Sequence, residues 1–202
     1  MSNITLRPDL AIIADMIAPN SKLLEVGCAD GDLLAWLTDH KNINGRGMEL
    51  SQSGVNECIA KGLFVVQGDA DKHLVDYADD SFDIVVLSKT LQATHRPKDV
   101  LHQLLRIGKR AIISIPNFAH WRIRLSLLLG GRMPVNRNIN TEWYETDNIH
   151  FCTILDMLDL IAAEGLTLEQ FIAADIDANP LTLSPRTANL FAAQGIFIVR
   201  KD

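Results

Sequence analysis

The chain has 202 residues, of which 48% are hydrophobic and 22% charged, and these ordinary globular proportions argue against intrinsic disorder. Its apolar runs are much shorter than the roughly 20 residues of a membrane-spanning helix. Asp9 and Asp15 interrupt the first of these runs, so neither a membrane span nor a signal peptide is expected. The net charge of −6 leaves little phosphate-binding surface and disfavours a nucleic-acid partner.

Helix and strand patterns alternate along the first part of the chain. Helical spacing is present at 8–18, 32–40, 51–61 and 97–107. Short apolar runs that predict strands lie at 22–26, 45–50, 63–67, 82–87 and 110–115. Strands separated by helices of about ten residues indicate βαβ units, and therefore a doubly wound α/β fold with a mostly parallel sheet.

The second part of the chain is less regular. Segment 117–148 contains a predicted amphipathic helix that ends at Gly130-Gly131, followed by a polar loop. A helix at 153–164 and strands at 166–174 and 196–200 complete the pattern. Because no linker or repeat divides the sequence, we expect a single domain over 1–202 in which 117–148 is an insertion, acting as a lid or docking segment.

The charges are unevenly distributed. All 25 Asp and Glu residues lie outside 100–141. The basic residues of that window are Arg106, Lys109, Arg110, Arg122, Arg124, Arg132 and Arg137. A local basic face of this kind can steer an anionic substrate or an acidic partner. The alternative, that some of these arginines merely solvate a helix, is equally open.

The three cysteines, Cys28, Cys58 and Cys152, are widely spaced in sequence and form no C-x-x-C pair. This set predicts reduced thiols rather than a disulfide framework or a zinc site, and no metal is expected. Reduced thiols in turn favour a cytoplasmic location.

A turn of small residues follows the first predicted strand, at the end where parallel α/β sheets bind ligands. Its sequence is Gly27-Cys28-Ala29-Asp30-Gly31, and Glu25 stands two positions before the first glycine. Small residues let the backbone approach a ligand closely, and the next helix offers free N–H groups to an anion. The dinucleotide fingerprint G-x-G-x-x-G is absent, so this turn alone is weak evidence.

Two further carboxylates stand at the ends of the next strands. Glu49 can accept hydrogen bonds from both hydroxyls of a ribose, and Asp69 can accept one from the exocyclic amine of an adenine. Taken alone, Glu49 is equally well explained as a partner for the dipole of the next helix, and Asp69 as a helix cap. Their order at successive strand ends favours one nucleoside ligand contacted by all three turns.

These motifs, with the run Asp79-Asp80-Ser81-Phe82-Asp83-Ile84-Val85, resemble the successive motifs of class I S-adenosylmethionine (SAM)-dependent methyltransferases over residues 20–116. The resemblance implies a Rossmann-like, seven-stranded sheet with an antiparallel last strand, and SAM or S-adenosylhomocysteine as the cofactor. It implies that Glu25 organises the methionine end and that backbone near Gly27 and Ala29 holds the methionine carboxylate. It further implies that Glu49 contacts the ribose, Leu50 the adenine ring and Asp69 the adenine amine. The remaining implied cofactor-binding residues are Cys28, Gly31, Ala70 and Ser88.

The sequence departs from that superfamily at Ala29, where glycine is most common. An alanine fits there if its φ is negative. Its methyl group could nevertheless crowd the methionine carboxylate and weaken SAM binding.

Three later segments, 116–124, 131–134 and 142–150, resemble the family of the methionine biosynthesis protein MetW. Asp147 stands where a proline is expected in that family. The resemblance implies a role beside homoserine O-acyltransferase (acetyl- or succinyltransferase), which would be the partner that this protein activates. The alternative is a SAM-dependent methyltransferase acting on an unidentified small molecule. The oligomeric state is open, and a homodimer is one alternative.

Methyl transfer from a sulfonium needs little beyond alignment of nucleophile and leaving group, so the missing catalytic triad does not exclude it. An acceptor that must lose a proton also needs a base. The candidates are His95, His120, Tyr144 and His150, and for each of them an ordinary structural role is the alternative.

Overall fold

A computed structural model of the chain describes residues 5–133, 135, 142, 145–146 and 149–201. The strands are β1 (Lys22–Val26), β2 (Asn44–Glu49), β3 (Val65–Gln67), β4 (Phe82–Ser88), β5 (Gly108–Pro116), β6 (Thr167–Ala174), β7 (Pro180–Leu181) and β8 (Gln194–Arg200). The helices are α1 (Pro8–Asp15), α2 (Asp32–Lys41), α3 (Gln52–Ala60), α4 (Ala70–His73), α5 (Pro97–Ile107), α6 (Trp121–Gly130), α7 (Ile154–Ala163) and α8 (Pro185–Phe191). Two short 3₁₀ turns cover Leu74–Asp76 and Leu91–Ala93.

Within the described residues, the strands form one eight-stranded sheet in the order β3-β2-β1-β4-β5-β8-β6-β7. The first five strands are parallel, and β8 runs antiparallel to both of its neighbours. The predicted α/β fold and its antiparallel last strand are therefore confirmed. The prediction of seven strands is wrong, because β7 pairs with the end of β6. A strand of two residues is too short to produce an alternation of polar and apolar positions.

Strand β4 is apolar throughout because both faces of the sheet are covered. Ile84 and Val86 pack in a cluster with α1 and α2, whereas Val85 and Leu87 pack in a second cluster with α5 and α7. Strands buried on both faces read as continuous hydrophobic runs rather than as alternating ones. The sheet is therefore the middle layer between two helical layers.

The direction of winding reverses between β1 and β4. The chain passes from β1 to β2 and β3 on one side, then returns to β4 and proceeds to β5 on the other side. The loops that follow β1 and β4 therefore diverge, and a crevice opens at the carboxyl ends of these strands. This arrangement brings the turns after β1, β2 and β3 to one rim of the sheet.

Helix α6 ends as predicted, at Gly130, with Gly131 in the left-handed region at φ +60°. It is not amphipathic, however, and that prediction is wrong. Its leucines at 125, 127, 128 and 129 include three consecutive positions, which spread around the helix at about 100° per residue. Ile123 is the one residue of α6 that is buried.

The described residues of the basic window 100–141 do not form one continuous basic face. Arg106 pairs with Asp79, Lys109 with Asp83 at 2.8 Å and Arg110 with Glu169 at 2.9 Å, so these three charges are neutralised by carboxylates from outside the window. Arg122 lies over the Trp121 ring. Arg137 lies outside the described residues.

Among the described helices, none is both long and apolar enough to cross a membrane.

Candidate functional site

A cleft of about 730 Å³ lies at the carboxyl ends of β1, β2 and β4. Most of the residues that the sequence predicts for cofactor binding line it: Glu25, Gly27, Cys28, Ala29, Glu49, Leu50, Asp69, Ala70 and Ser88. Gly31 is not among the described residues that line the cleft. A cavity of this size is typical of small-molecule and cofactor sites, which range over roughly 300–1,000 Å³.

Two glycines shape the turn after β1. Gly27 has φ +72°, and a Cβ there would lie 2.7 Å from the Thr90 hydroxyl oxygen, so no larger residue fits. Gly31 has φ +78°, and a Cβ would lie 2.6 Å from the Leu63 side chain and 2.7 Å from Cys58 Sγ. Gly31 thus packs the turn closely against Cys58 of α3 and against Leu63.

Glu25 lies at the end of β1 and is only 3% exposed, although it lines the cleft. Its Oε2 is buried and has no hydrogen-bond partner among the described atoms. Burial, with a smaller effect of the Asp30 charge, raises the pKa of Glu25 to about 8. A buried polar atom without a donor is costly, so this carboxyl group is suited to receive a donor from a ligand.

Glu49 connects two of the three turns. Its Oε2 accepts the N–H of Ala29 at 2.8 Å, and its Oε1 accepts the N–H of Ser51 at 2.8 Å. The structure therefore includes the helix-terminus interaction considered as the alternative for Glu49. Each carboxylate oxygen has a second lone pair, so these bonds leave acceptor capacity for hydroxyl groups.

Ala29 has φ +49°, in the left-handed region, so the negative φ that would accommodate an alanine is not what the structure shows. Its N–H is bonded to Glu49, and the N–H groups of Gly27 and Cys28 both donate to the Met48 carbonyl, at 2.8 and 3.2 Å. These amides are therefore already hydrogen-bonded within the protein. The resemblance implied instead that the backbone here holds the methionine carboxylate.

Asp69 lines the cleft and also caps α4. One carboxylate oxygen accepts the N–H of Asp71 at 2.9 Å, and the other pairs with the Lys72 ammonium at 2.9 Å. The hydrogen bond with Lys72 is the largest cause that holds the pKa of Asp69 below its usual value. Leu50 is next to the turn after β2 and leaves an apolar side chain 65% exposed at the cleft, as a surface for a ring to stack on.

Arg7, Leu10 and Lys89 also line the cleft and were not predicted. Lys89 pairs with the buried Asp9 of α1 at 2.7 Å, and Arg7 contacts the same carboxylate at 3.3 Å. Burial acts to raise the pKa of Asp9, but Lys89 and Arg7 outweigh it and hold that pKa below its usual value. The cluster attaches α1 to the end of β4 and brings two cations to the cleft beside Glu25.

The candidates for a catalytic base are dispersed. His95 lines the cleft and is exposed. His120 caps α6, where its Nδ1 accepts the N–H of Arg122 at 3.3 Å, and burial with the Arg122 charge lowers its pKa. His150 lies next to the lining residue Ile149 and has a buried Nε2 without a partner among the described atoms. Tyr144 lies outside the described residues.

Cys28 and Cys58 are distant in sequence but adjacent in space. Their Sγ atoms are 3.8 Å apart in the interior between the turn after β1 and α3. Burial raises the pKa of both thiols. All three cysteines are free, and within the described residues no group of His, Cys, Asp or Glu side chains is arranged to hold a metal ion.

The fold is shared with solved structures of low sequence identity. A SAM-dependent methyltransferase from Mesorhizobium loti superimposes with a TM-score of 0.68 at 17% identity, over 96% of this chain and 98% of that chain. SpnF, a [4+2]-cyclase, superimposes with a TM-score of 0.67 at 17% identity, over 95% of this chain and 79% of that chain. At these identities the likeness shows the fold alone, which is that of class I SAM-dependent methyltransferases.

The particular family is shown by sequence. Residues 7–199 match the family described as "Methionine biosynthesis protein MetW", and the chain belongs to that family. A bifunctional methionine biosynthesis protein MetXA/MetW from Rhodopirellula baltica is 30% identical over 210 residues, covering 100% of this chain and 34% of that protein. This chain thus spans about a third of the length of that relative.

Proposed function

We propose that the cleft binds SAM and that the protein acts with homoserine O-acyltransferase, activating it in methionine biosynthesis. The observation that carries the binding half is the buried Oε2 of Glu25, which has no donor among the described atoms and lies at the wall of a nucleoside-sized cleft. The α-ammonium group of SAM has the donors that this oxygen lacks. Pairing with an ammonium also favours the charged form of Glu25, which burial alone disfavours.

The other residues of the cleft are compatible with the rest of SAM. Arg7 and Lys89 line the cleft and share one carboxylate, Asp9, so together they keep a net positive charge. They are therefore better suited to the methionine carboxylate than the engaged amides of Gly27 and Ala29. Glu49 keeps acceptor capacity for the ribose hydroxyls. Leu50 offers an apolar surface to the adenine, and Asp69 offers an acceptor to its amine. When bound, SAM supplies a cationic sulfonium centre with a transferable methyl group.

The partnership is supported by the relative from Rhodopirellula baltica, whose description joins MetXA and MetW in one protein. Two modules in one chain have a high effective concentration for each other, which favours a functional contact between them. We therefore take homoserine O-acyltransferase as the partner of this separate chain.

Calorimetry with SAM and with S-adenosylhomocysteine tests the binding half. We expect binding of SAM, loss of affinity in Glu25→Gln, and no change in Glu57→Gln, which alters an exposed glutamate on α3. Absence of binding by the unmodified chain would refute the proposal. For the second half, acyltransferase activity is titrated with this chain, with and without SAM. An unchanged rate and no complex would refute the partnership alone.

A second candidate function is methyl transfer to a small molecule, which the exposed His95 at the cleft favours, because it could accept a proton from an acceptor group. Incubation with methyl-labelled SAM and a metabolite extract tests it. A labelled product whose formation is lost in His95→Gln supports this function, whereas tight SAM binding without any labelled product contradicts it.

A further inference from the structure

Helix α6 presents apolar side chains that the rest of the described structure does not cover. Leu128 is 80% exposed and Leu129 is 77% exposed, and Leu125 and Leu127 are each more than two-fifths exposed. Leu125, Leu128 and Leu129 stand at i, i+3 and i+4 and therefore share one face of the helix, whereas Leu127 lies on another face. We call these three leucines the α6 patch. Scattered exposed apolar residues are ordinary, but a contiguous group on one helix marks an interaction site.

The chain on both sides of the α6 patch is basic in sequence. Segment 100–141 has no carboxylate, and Arg122, Arg124 and Arg132 are exposed around α6. Arg122 lies over a tryptophan ring and Arg124 donates to the Ala119 carbonyl at 2.5 Å, and neither of these contacts with described residues neutralises the charge. This differs from Arg106, Lys109 and Arg110, whose charges are neutralised.

An apolar helix with a basic border fits a partner protein that offers an apolar groove bordered by carboxylates. We infer that α6 docks into such a groove. This inference rests on the proposed function, in which the partner is homoserine O-acyltransferase. The basic border would steer the encounter, and the leucines would provide the buried contacts.

A second copy of this chain is a poorer occupant. In a two-fold dimer through α6 the same surface is present on both sides, so the arginines of one copy would lie near those of the other. Like charges at the border of an interface oppose association. Charge complementarity therefore favours a partner of different sequence.

The test measures the affinity of the full chain for the full-length acyltransferase encoded by the same genome, in the presence of SAM. In Leu128→Glu and Leu129→Glu we expect the dissociation constant to rise at least ~30-fold, as at a central apolar contact. The matched control is Ile59→Glu, which introduces the same charge at an exposed position on α3, a helix that packs beside β2 and the edge strand β3. Arg122→Glu should slow association and reduce its dependence on salt.

Three results would overturn the inference. One is an unmodified chain that binds the acyltransferase while Leu128→Glu and Leu129→Glu bind equally well. Another is a lower Tm in these variants, which would mean that the leucines pack against the chain itself. The third is a dimer of the unmodified chain that Leu128→Glu dissociates. If the unmodified chain binds SAM but forms no acyltransferase complex, the partnership in the proposed function has failed, and the docking inference fails with it.

Discussion

Replacing Glu25 with glutamine tests how its burial affects two quantities, the stability of the protein and its affinity for SAM. Glutamine keeps the size and hydrogen-bonding shape of a protonated glutamate but cannot ionise. In the free protein, burial raises the pKa of Glu25 to about 8, compared with a usual value of 4.5. Between these values the folded protein retains a proton that the unfolded chain has already released. The contribution of Glu25 to stability is therefore present below pH 4.5 and is lost as the pH rises through about 8.

The size of this effect on the free energy of unfolding follows from one proton, which the folded protein binds and the unfolded chain does not. The free energy of unfolding should fall by about 1.4 kcal/mol for each pH unit in this window, or by about 2–3 kcal/mol between pH 5.5 and 7.5. Glu25→Gln removes this contribution. SAM should show the opposite trend, because an ammonium group binds the ionised carboxylate. Its affinity should rise by up to tenfold per pH unit towards pH 8 in the unmodified chain, and much less steeply in the variant.

Urea unfolding at pH 5.5, 6.5 and 7.5 measures the first trend, and calorimetry over the same range measures the second. The decisive quantity is the difference between the unmodified chain and Glu25→Gln, since other titrating groups cancel in it. Glu57→Gln on α3 is the control and should follow the unmodified chain. Parallel stability curves for the unmodified chain and Glu25→Gln would refute the assignment of a buried, protonated glutamate.

Three further changes test the other walls of the cleft. Asp69→Ala should lose ~1–3 kcal/mol of SAM affinity, because an adenine amine is left without its acceptor, and about 1 kcal/mol of stability through the lost cap of α4; unchanged affinity in calorimetry would mean that the adenine lies elsewhere. Ala29→Gly should raise the free energy of unfolding by about 0.5–1 kcal/mol in urea titration, since relief of the φ of +49° outweighs the added freedom of the unfolded chain. A loss of stability would contradict that strain. Lys89→Met should destabilise the protein by about 1–2 kcal/mol at pH 7, because Asp9 loses its closest ion pair. This loss should shrink as the pH falls through the lowered pKa of Asp9 and the carboxylate becomes protonated. A loss that stays the same down to the most acidic pH at which the protein remains folded would contradict the role of the pair.

The sequence predicts the central strands well because their residues are buried on both faces. The predicted bounds of β1 agree with the structure, and β4 is longer than predicted by one residue. Prediction is poorer at the margins of the fold. At the sheet edge, β3 begins at Val65 rather than at residue 63, and its side chains are largely exposed. Helix α8 was missed, although Ser184 before Pro185 is a recognisable start signal.

The candidate site was partly predictable for a topological reason. Residues that follow parallel strands must meet at one rim, so Glu25, Glu49 and Asp69 could be placed together from their positions in the chain. The cations could not be found in this way. Lys89 is held at the cleft by its ion pair with Asp9 of α1. These two residues are separated by most of the first half of the chain. Neither periodicity nor a motif reports such a contact. The adjacent thiols of Cys28 and Cys58 were missed for the same reason.

The cleft and the start of α6 lie at the same rim of the sheet. Ligand binding in the cleft and partner docking on α6 would therefore take place at neighbouring parts of the fold. Helix α6 begins soon after the carboxyl end of β5, and β5 is the neighbour of β4, whose end lines the cleft. The chain after α6 returns to the cleft at Thr146 and Ile149, where the N–H of Ile149 donates to the Gln92 carbonyl at 3.0 Å. A partner docked on α6 would therefore contact a helix that begins at the same rim of the sheet as the cleft. The fold alone does not assign methyl transfer, since SpnF has the same fold and is described as a cyclase. SAM could regulate the partner from this cleft without any methyl transfer. This requires only that the partner bind with different affinity to the free and the SAM-bound chain.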